Sequence, residues 1–519
     1  MNDSMSLRMK ASVKRTFSAC LVAAMLLPAT LLSAASTKDY STYYKDTPVR
    51  LKQVKAPNIP DKTVRLTDFG AKGNGVDLCT EAFRLGIEQL SQAGGGHLVV
   101  PAGVWLTGPI VLASNIDLHL EDNALVIFSP DKSLFEASVN NGRYLPLVSG
   151  DNLHDVSITG HGTMDGNGKY WRPVKRFKQS SVEWERYNDL GGTVTAKGDL
   201  WLPYGLKNVD NQTEKAEKEE AIRNDLVRLS HCRNLLFEGV TFQNAPRFHI
   251  HPIGCENVIL DHIIVRCDWN VQNGDAIDLA NVKTGLVLDC LIAAGDDGIC
   301  FKGGTGASGK KQGPCQDILV QGSTVFHAHG GFVLGSDISG GMKRIVFRDC
   351  TLTGTDVGLR FKSGLGRGGK TDHIYCYNIV MNDIKGEAVF FDCTYQDKSV
   401  ASRLKQADDK KKADGQKQAD DQKKKSEGQK QTSGQKQADA ATGASQQEEE
   451  VYAPEFADIH IYNVVCRESK TGIRSVGLEG RRCVHDIDIH DCTFFYTEAA
   501  TDIDANSEIK TSDVNYATY

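Results

Sequence analysis

The chain has 519 residues, 40% of them hydrophobic and only 8% aromatic, with 50 glycines and a formal net charge of −6. That is enough apolar material for one large core or two ordinary ones, and abundant glycine with few aromatics points to a turn-rich β architecture rather than long helices. The negative balance argues against a general nucleic-acid binder.

Residues 1–35 read as an export signal. Arg8, Lys10, Lys14 and Arg15 make a basic start, an apolar run extends from Phe17 to Leu32, and Ser33, Ala34 and Ala35 offer small-residue cleavage positions. Pro28 interrupts the run, which favours cleavage over a membrane anchor or a buried N-terminal helix, so no membrane span is expected in the mature chain. "FSAC" at Cys20 loosely resembles a lipid-attachment box, but the apolar run follows the cysteine instead of preceding it. Cleavage removes the four basic residues and Asp3, leaving a net charge near −9. Periplasmic or secreted placement in a bacterium follows from this reading.

Residues 36–62 form an extension, and a single domain is expected over 63–519. The strongest helical segment is "EAFRLGIEQL", residues 81–90, with Phe83, Ile87 and Leu90 on one face; it is expected to cap one end of the fold. "NLHDVSITGHGTMDGNG" contains a first strand unit near Val156. The segment from Tyr170 to Glu220 carries Trp171, Trp184, Tyr187, Trp201 and Tyr204, which suit either sugar stacking or buried packing. Both this segment and the 36–62 extension are long enough to wall a cleft.

From about residue 230 a short pattern recurs: an apolar-x-apolar triplet, a second short strand, then a bend rich in glycine or aspartate. The triplets begin at Leu235, Val258, Gly285, Ile318, Ile345, Ile374, Ile459 and Ile487, mostly in steps of roughly 23 to 33 residues. That period suits one rung of a solenoid. No rung can bury its apolar face alone, so stacking is required, and an all-β parallel β-helix with an N-terminal capping helix is the predicted fold. Cys290, Cys350 and Cys492 fall at the same place in their rungs as Ile263, which marks them as buried packing residues rather than disulfide partners. The long step after Ile374 holds a lysine-, glutamine- and aspartate-rich tract at about 398–450. Its composition cannot bury enough surface to order itself, so a disordered insertion is expected, with a charged helix as the alternative.

Carboxylates concentrate in two consecutive rungs, "VQNGDAIDLA" and "AAGDDGICFKGG". Stacking can bring Asp275 beside Asp296 and Asp297. Two rungs later come "HAHGGFVLGS", with His329, and "GLRFKSG", in which Arg360 and Lys362 point the same way because strand residues two apart share a face. Coils rise by about 4.8 Å each, so long side chains from these rungs converge on one cleft, acids at one end and cations at the other. Such a cleft suits hydrolysis of an acidic sugar chain. Lys302 is either a contact for a second substrate carboxylate or a solvated surface lysine. Arg247, His249 and His251, in "APRFHIHP", lie near the same face, and His251 is expected to be structural.

"NGDAID", "GDDGICFK", "HAHGG" and "GLRFK", together with "LTDFGAKGNGVDLCTEAF" nearer the N-terminus, resemble the motifs of polygalacturonase-type glycoside hydrolases, pectin-cleaving enzymes on a right-handed parallel β-helix. The resemblance covers roughly residues 63–395 and continues as rungs to about 497. It implies inverting hydrolysis of α-1,4-linked galacturonate in pectin or polygalacturonate, without cofactor or metal. Asp296 then matches the general acid, Asp275 and Asp297 the pair that activates water, His329 the histidine supporting the acid and the sugar, and Arg360 with Lys362 the cations holding a galacturonate carboxylate on the leaving-group side. The adjacency of Asp296 and Asp297 is expected to keep one carboxyl protonated, since like charges raise one pKa. Where many members carry Asn-Thr-Asp this chain has Asn273, Gly274 and Asp275, and its Arg-Phe-Lys replaces Arg-Ile-Lys. A monomer with exo action is expected. Competing readings are a rhamnogalacturonan hydrolase, a calcium-dependent pectate lyase and a non-catalytic carbohydrate-binding β-helix.

Overall fold

In the computed structural model, which describes residues 38–141, 143–203, 222–395 and 452–519, the short apolar runs pair side by side as parallel strands. The export signal and the polar tract at 398–450 lie outside the described residues. Asp39–Tyr519 is one compact unit. Each coil contributes to three parallel ladders. The first contains Ile116–Leu120, His154–Gly160, Arg233–Glu238, Glu256–Asp261, Lys283–Leu288 and Cys315–Gln321, and the second Thr241–Gln243, Ile264–Arg266, Leu291–Ala293 and Thr324–His327. The third contains Ile250–Ile253, Ile277–Ala280, Ile299–Lys302, Gly330–Gly335, Val357–Lys362 and Glu387–Asp392. Connections between parallel strands are right-handed in nearly all cases, which gives the winding of this β-helix.

The phase read from the triplets is the register of the first ladder. Val156 pairs with Leu235, and the column continues through Val258, Gly285, Ile318, Ile345, Ile374, Ile459 and Ile487. The stack also extends further at both ends: Ile116 pairs with Val156, and Ile487 pairs with Ile509. Cys290, Cys350 and Cys492 are buried with Ile263, and the thirteen cysteines among the described residues are all free and buried.

The coil bends between the first and second ladders because left-handed backbone recurs there from coil to coil. Between the first and second ladders, Gly239, His262, Asp289, Gly322, Asp349, Asn378, Asn463 and Asp491 all have positive φ. Glycine, asparagine and aspartate tolerate that region better than other residues, which is why bends rich in these residues punctuate the sequence. The predicted cap is helix α1 (Thr80–Gln92), which buries Phe83, Ile87 and Leu90. It lies so close to the first coil that a Cβ on Gly86 would come within 2.8 Å of Leu98.

The extension does not wall a cleft on the face of the third ladder. Tyr40, Tyr44, Leu51 and Val54 pack against Ile259, Leu286, Leu288, Leu319 and Val346 on the outside of the first ladder, and the Tyr40 hydroxyl donates to Asp261 Oδ2 at 2.9 Å. The outward positions of that ladder are apolar, so they need a cover. The aromatics of 170–203 mostly serve packing: Trp171 is buried edge-on to Phe135 and Tyr144, and buried Trp201 lies against Tyr187. Tyr204 lies outside the described residues. A β-branched residue at a left-handed corner should strain the coil: Asn378→Val is expected to cost about 1–2 kcal/mol and Asn378→Gly less, read as shifts in a chemical-denaturation midpoint.

Candidate active site

Asp275, Asp296, Asp297 and His329 occupy the corners that lead from the second ladder into the third, on consecutive coils. Asp278, Lys302, Arg360 and Lys362 follow on the third ladder. There Ile277, Leu279, Phe301, Leu359 and Phe361 are buried in the core, so the alternate positions face outward. Register places Asp278 beside Cys300, Ala280 beside Lys302 and Gly335 beside Lys362. The expected site residues therefore gather on one face.

Asp297 and Lys362 form a buried ion pair, Oδ2 to Nζ at 2.7 Å. Lys302 Nζ lies 2.8 Å from Asp278 Oδ1 and 3.8 Å from Asp275 Oδ2. Asp296 accepts from the Asn273 backbone N–H at 3.2 Å, and its other oxygen lies 3.2 Å from His329 Nδ1. His329 Nε2 is 3.7 Å from Asp356. Of the three expected acids, Asp296 is the one that reaches the surface: its side chain is 19% exposed, against 4% for Asp275 and 3% for Asp297.

These contacts revise two expectations. Lys302 is no solvated lysine, and its charge is first committed to Asp278 and Asp275; Lys362 is likewise committed to Asp297. Among the described residues Arg360 is the site cation least engaged by acids, with a buried Nε that has no hydrogen-bond partner there. Its guanidinium lies 5.7 Å from the centre of the Tyr395 ring, and Lys362 Nζ lies 5.2 Å from it. The second revision concerns the proton. Burial pushes the Asp275 carboxyl well above the usual range, reinforced by Asp278 and Asp296. At Asp296 burial also acts upward, but the His329 hydrogen bond and charge outweigh it and hold this carboxyl below its ordinary value. Burial thus favours a retained proton at Asp275, whereas His329 disfavours one at Asp296.

A carboxylate oxygen of Asp275, one of Asp297 and Cys300 Sγ lie within 4.8 Å of one another. This group fits a metal ion poorly. Two ammonium groups already sit on its carboxylates, and burial pushes the Cys300 thiol well above its ordinary pKa. That chemistry also counts against the calcium site a pectate lyase would need.

Two residues position the Asp275 loop: Arg223, which carried no sequence signal, and His249, which the sequence places near the same face. Buried Arg223 donates to the Pro246 and Gln272 carbonyls and to Asn273 Oδ1, fixing the loop that delivers Asp275. His249 is fully buried with Nδ1 2.9 Å from the Asp275 carbonyl, and burial lowers its pKa to about 4, keeping the ring neutral. His251 is structural as expected, held 2.8 Å from the buried Asp225. Asp278 was legible in principle: it alternates with Ile277 and Leu279, which places it outward once the strand is phased. Among the described residues no helix is long and apolar enough to cross a membrane.

Residues 187–408 match the family described as Glycosyl hydrolases family 28. A probable polygalacturonase of Vitis vinifera is 29% identical over 62% of this chain and 61% of its own length. An exo-poly-alpha-D-galacturonosidase of Dickeya chrysanthemi is 28% identical over 65% and 58% respectively. The chain thus spans about three-fifths of the length of these curated relatives. The crystal structure of a hyperthermoactive exopolygalacturonase from Thermotoga maritima is similar with a TM-score of 0.66 and 27% identity, covering 90% of this chain and 94% of that one.

The site's electrostatics make a direct expectation. The Asp296 hydrogen bond raises the His329 pKa above its ordinary 6.5, so the imidazolium persists above that pH and is lost as pH rises through the raised value. In an NMR titration Asp296→Asn should bring the His329 midpoint down, whereas Asp278→Asn should move it much less.

Proposed function

We propose that the chain, whose residues 187–408 match Glycosyl hydrolases family 28, is a polygalacturonase-type hydrolase that cleaves α-1,4-galacturonosyl linkages in polygalacturonate by an inverting acid/base mechanism. The observation that carries this reading is the division of the site: a surface-reaching carboxylate on a histidine, two buried carboxylates behind it, and Arg360 with Tyr395 farther along the same face. A guanidinium suits a uronate carboxylate, because paired N–H donors match its two oxygens. This preference supports galacturonate over rhamnose beyond the bond.

Asp296 is the proposed acid because it is the exposed one. It shares a proton with His329, and as an uncharged acid it delivers that proton to the glycosidic oxygen as the bond breaks. His329 keeps the proton available in the free protein. Asp275 and Asp297 are the proposed base pair. Each has a buried oxygen, Oδ1, without a hydrogen-bond partner among the described residues. Carboxylate oxygens of the two lie within 4.8 Å of each other, which one water can span by donating two bonds of about 2.8 Å. The raised proton affinity of Asp275 makes it the stronger base once ionised, while Lys302 beside it favours that ionised form. Lys362 holds Asp297 in place through a 2.7 Å contact. The water then loses its proton to Asp275 as its oxygen attacks the anomeric carbon from the side opposite the leaving group, and the configuration inverts.

Exo action is part of the proposal. The segment 169–203 borders the loop that carries Asp275: Gln179 Oε1 accepts from Asn270 at 3.1 Å, and Arg172, Tyr187, Val271 and Gln272 line a shared cavity of about 60 Å³. This wall supports a cleft bounded near the scissile bond, and relatives named as exo enzymes support the same mode. Action outside the cytoplasm rests on the sequence of residues 1–35.

Polygalacturonate incubated with the protein in excess chelator should yield monomer or dimer at the earliest times, with no ultraviolet-absorbing unsaturated ends. Asp296→Asn should lower kcat by about 10²–10⁴-fold with far less change in KM; undiminished turnover would exclude Asp296 as the acid.

A further inference from the structure

One strongly charged cluster is not used by this mechanism. It sits on the coils before Asp275, on the side away from Arg360. Asp225 is fully buried, and Arg247 Nη1 lies 3.5 Å from its Oδ1 while His251 Nδ1 lies 2.8 Å from its Oδ2. Arg228 is the outward residue of Val227–Ser230, in register with His251 on the next coil. Arg143 joins them, donating to the Arg223 carbonyl at 2.8 Å.

We propose that Arg247, Arg228 and Arg143 bind a second uronate carboxylate on the glycon side of the scissile bond, opposite the carboxylate held by Arg360. The proposal rests on the polygalacturonate-hydrolase reading and names a substrate contact within it. Three guanidinium groups face one carboxylate among the described residues, so positive charge is in excess there. Its cost is visible at Arg143, whose pKa is lowered to about 10 by burial and by the neighbouring Arg247 and Arg228 charges. A bound anion relieves that repulsion.

Placement supports the same substrate chain. The Arg247 guanidinium stacks 3.8 Å from the centre of the Phe248 ring, and Lys302, the partner of Asp275, has its Nζ 5.6 Å from that ring. The cluster is thus joined to the catalytic carboxylates through a single side chain. Arg247 and Arg228 belong to coils one and two steps before that of Asp275, roughly 5 and 10 Å along the axis, within one or two sugar units. Arg247 and Arg228 both remain partly exposed, so a ligand can reach them.

The test is calorimetric titration of the full chain carrying Asp296→Asn, in which turnover is slowed enough to read binding, using trigalacturonate and its methyl-esterified counterpart. Adding Arg247→Gln or Arg228→Gln should each weaken trigalacturonate binding about tenfold, the loss expected for one charged hydrogen bond, and leave the ester unaffected. Arg228 makes no hydrogen bond to Asp225, so its variant keeps the test decisive if Arg247→Gln disturbs folding. Unchanged affinity, or equal losses for acid and ester, would overturn the inference. If the unsubstituted chain hydrolyses polygalacturonate while the arginine variants bind normally, only this subsite falls. If the unsubstituted chain neither binds nor hydrolyses it, the proposed function falls and the subsite with it.

Discussion

Parallel pairing between successive coils is the constraint on which the rest of the molecule depends. It fixes the spacing of neighbouring strands at about 4.8 Å and, because side chains alternate, fixes which residues share a face. Residues separated by tens of positions then stand in one short column. Asp278, Cys300, Val333 and Arg360 are such a column on the third ladder, and the corners just before it carry Asp275, Asp296, Asp297 and His329. The site is a property of the register; a slip of one residue in any coil would turn its charged groups into the core.

The same register forces charges into a poorly solvated space, and the protein answers by pairing. Breaking a buried ion pair commonly costs about 3–5 kcal/mol, because one charge is left uncompensated; Asp297–Lys362 is built on those terms. The pairing is uneven, and the unevenness supports the chemistry. Asp297 has a dedicated cation and Asp296 a histidine, whereas Asp275 shares Lys302 with Asp278 and carries the raised pKa. In the proposed mechanism this environment separates three chemically identical groups into a surface acid with a proton-bearing partner and two buried groups suited to a water.

Much of this was legible in the sequence, and the failures share a cause. The apolar triplets carried the phase of the first ladder, because inward positions must be apolar in every coil, and the αL corners carried the bends. The blocks around Asp275, Asp296, His329 and Arg360 carried the site, since residue type and order survive projection onto one dimension. What did not survive is the environment of each group. Adjacency suggested that Asp296 or Asp297 would hold a proton, but His329, 33 residues beyond Asp296, holds that carboxyl below its ordinary pKa, whereas burial raises that of Asp275. Tyr395 and Arg223 act through contacts that no local pattern announces. The extension, long enough to wall a cleft, instead covers the apolar outer surface of the first ladder, a surface that the sequence of the extension alone does not reveal.

The stereochemistry of the first turnover tests the account most directly. Proton NMR of α-linked galacturonate oligomers, followed in chelator from the moment of mixing, reports the configuration of the new reducing end before it mutarotates. A water held by Asp275 and Asp297, across the bond from Asp296, gives the β-anomer first. An initial α-anomer, or an unsaturated end in place of a reducing sugar, would contradict the assignment of the three carboxylates.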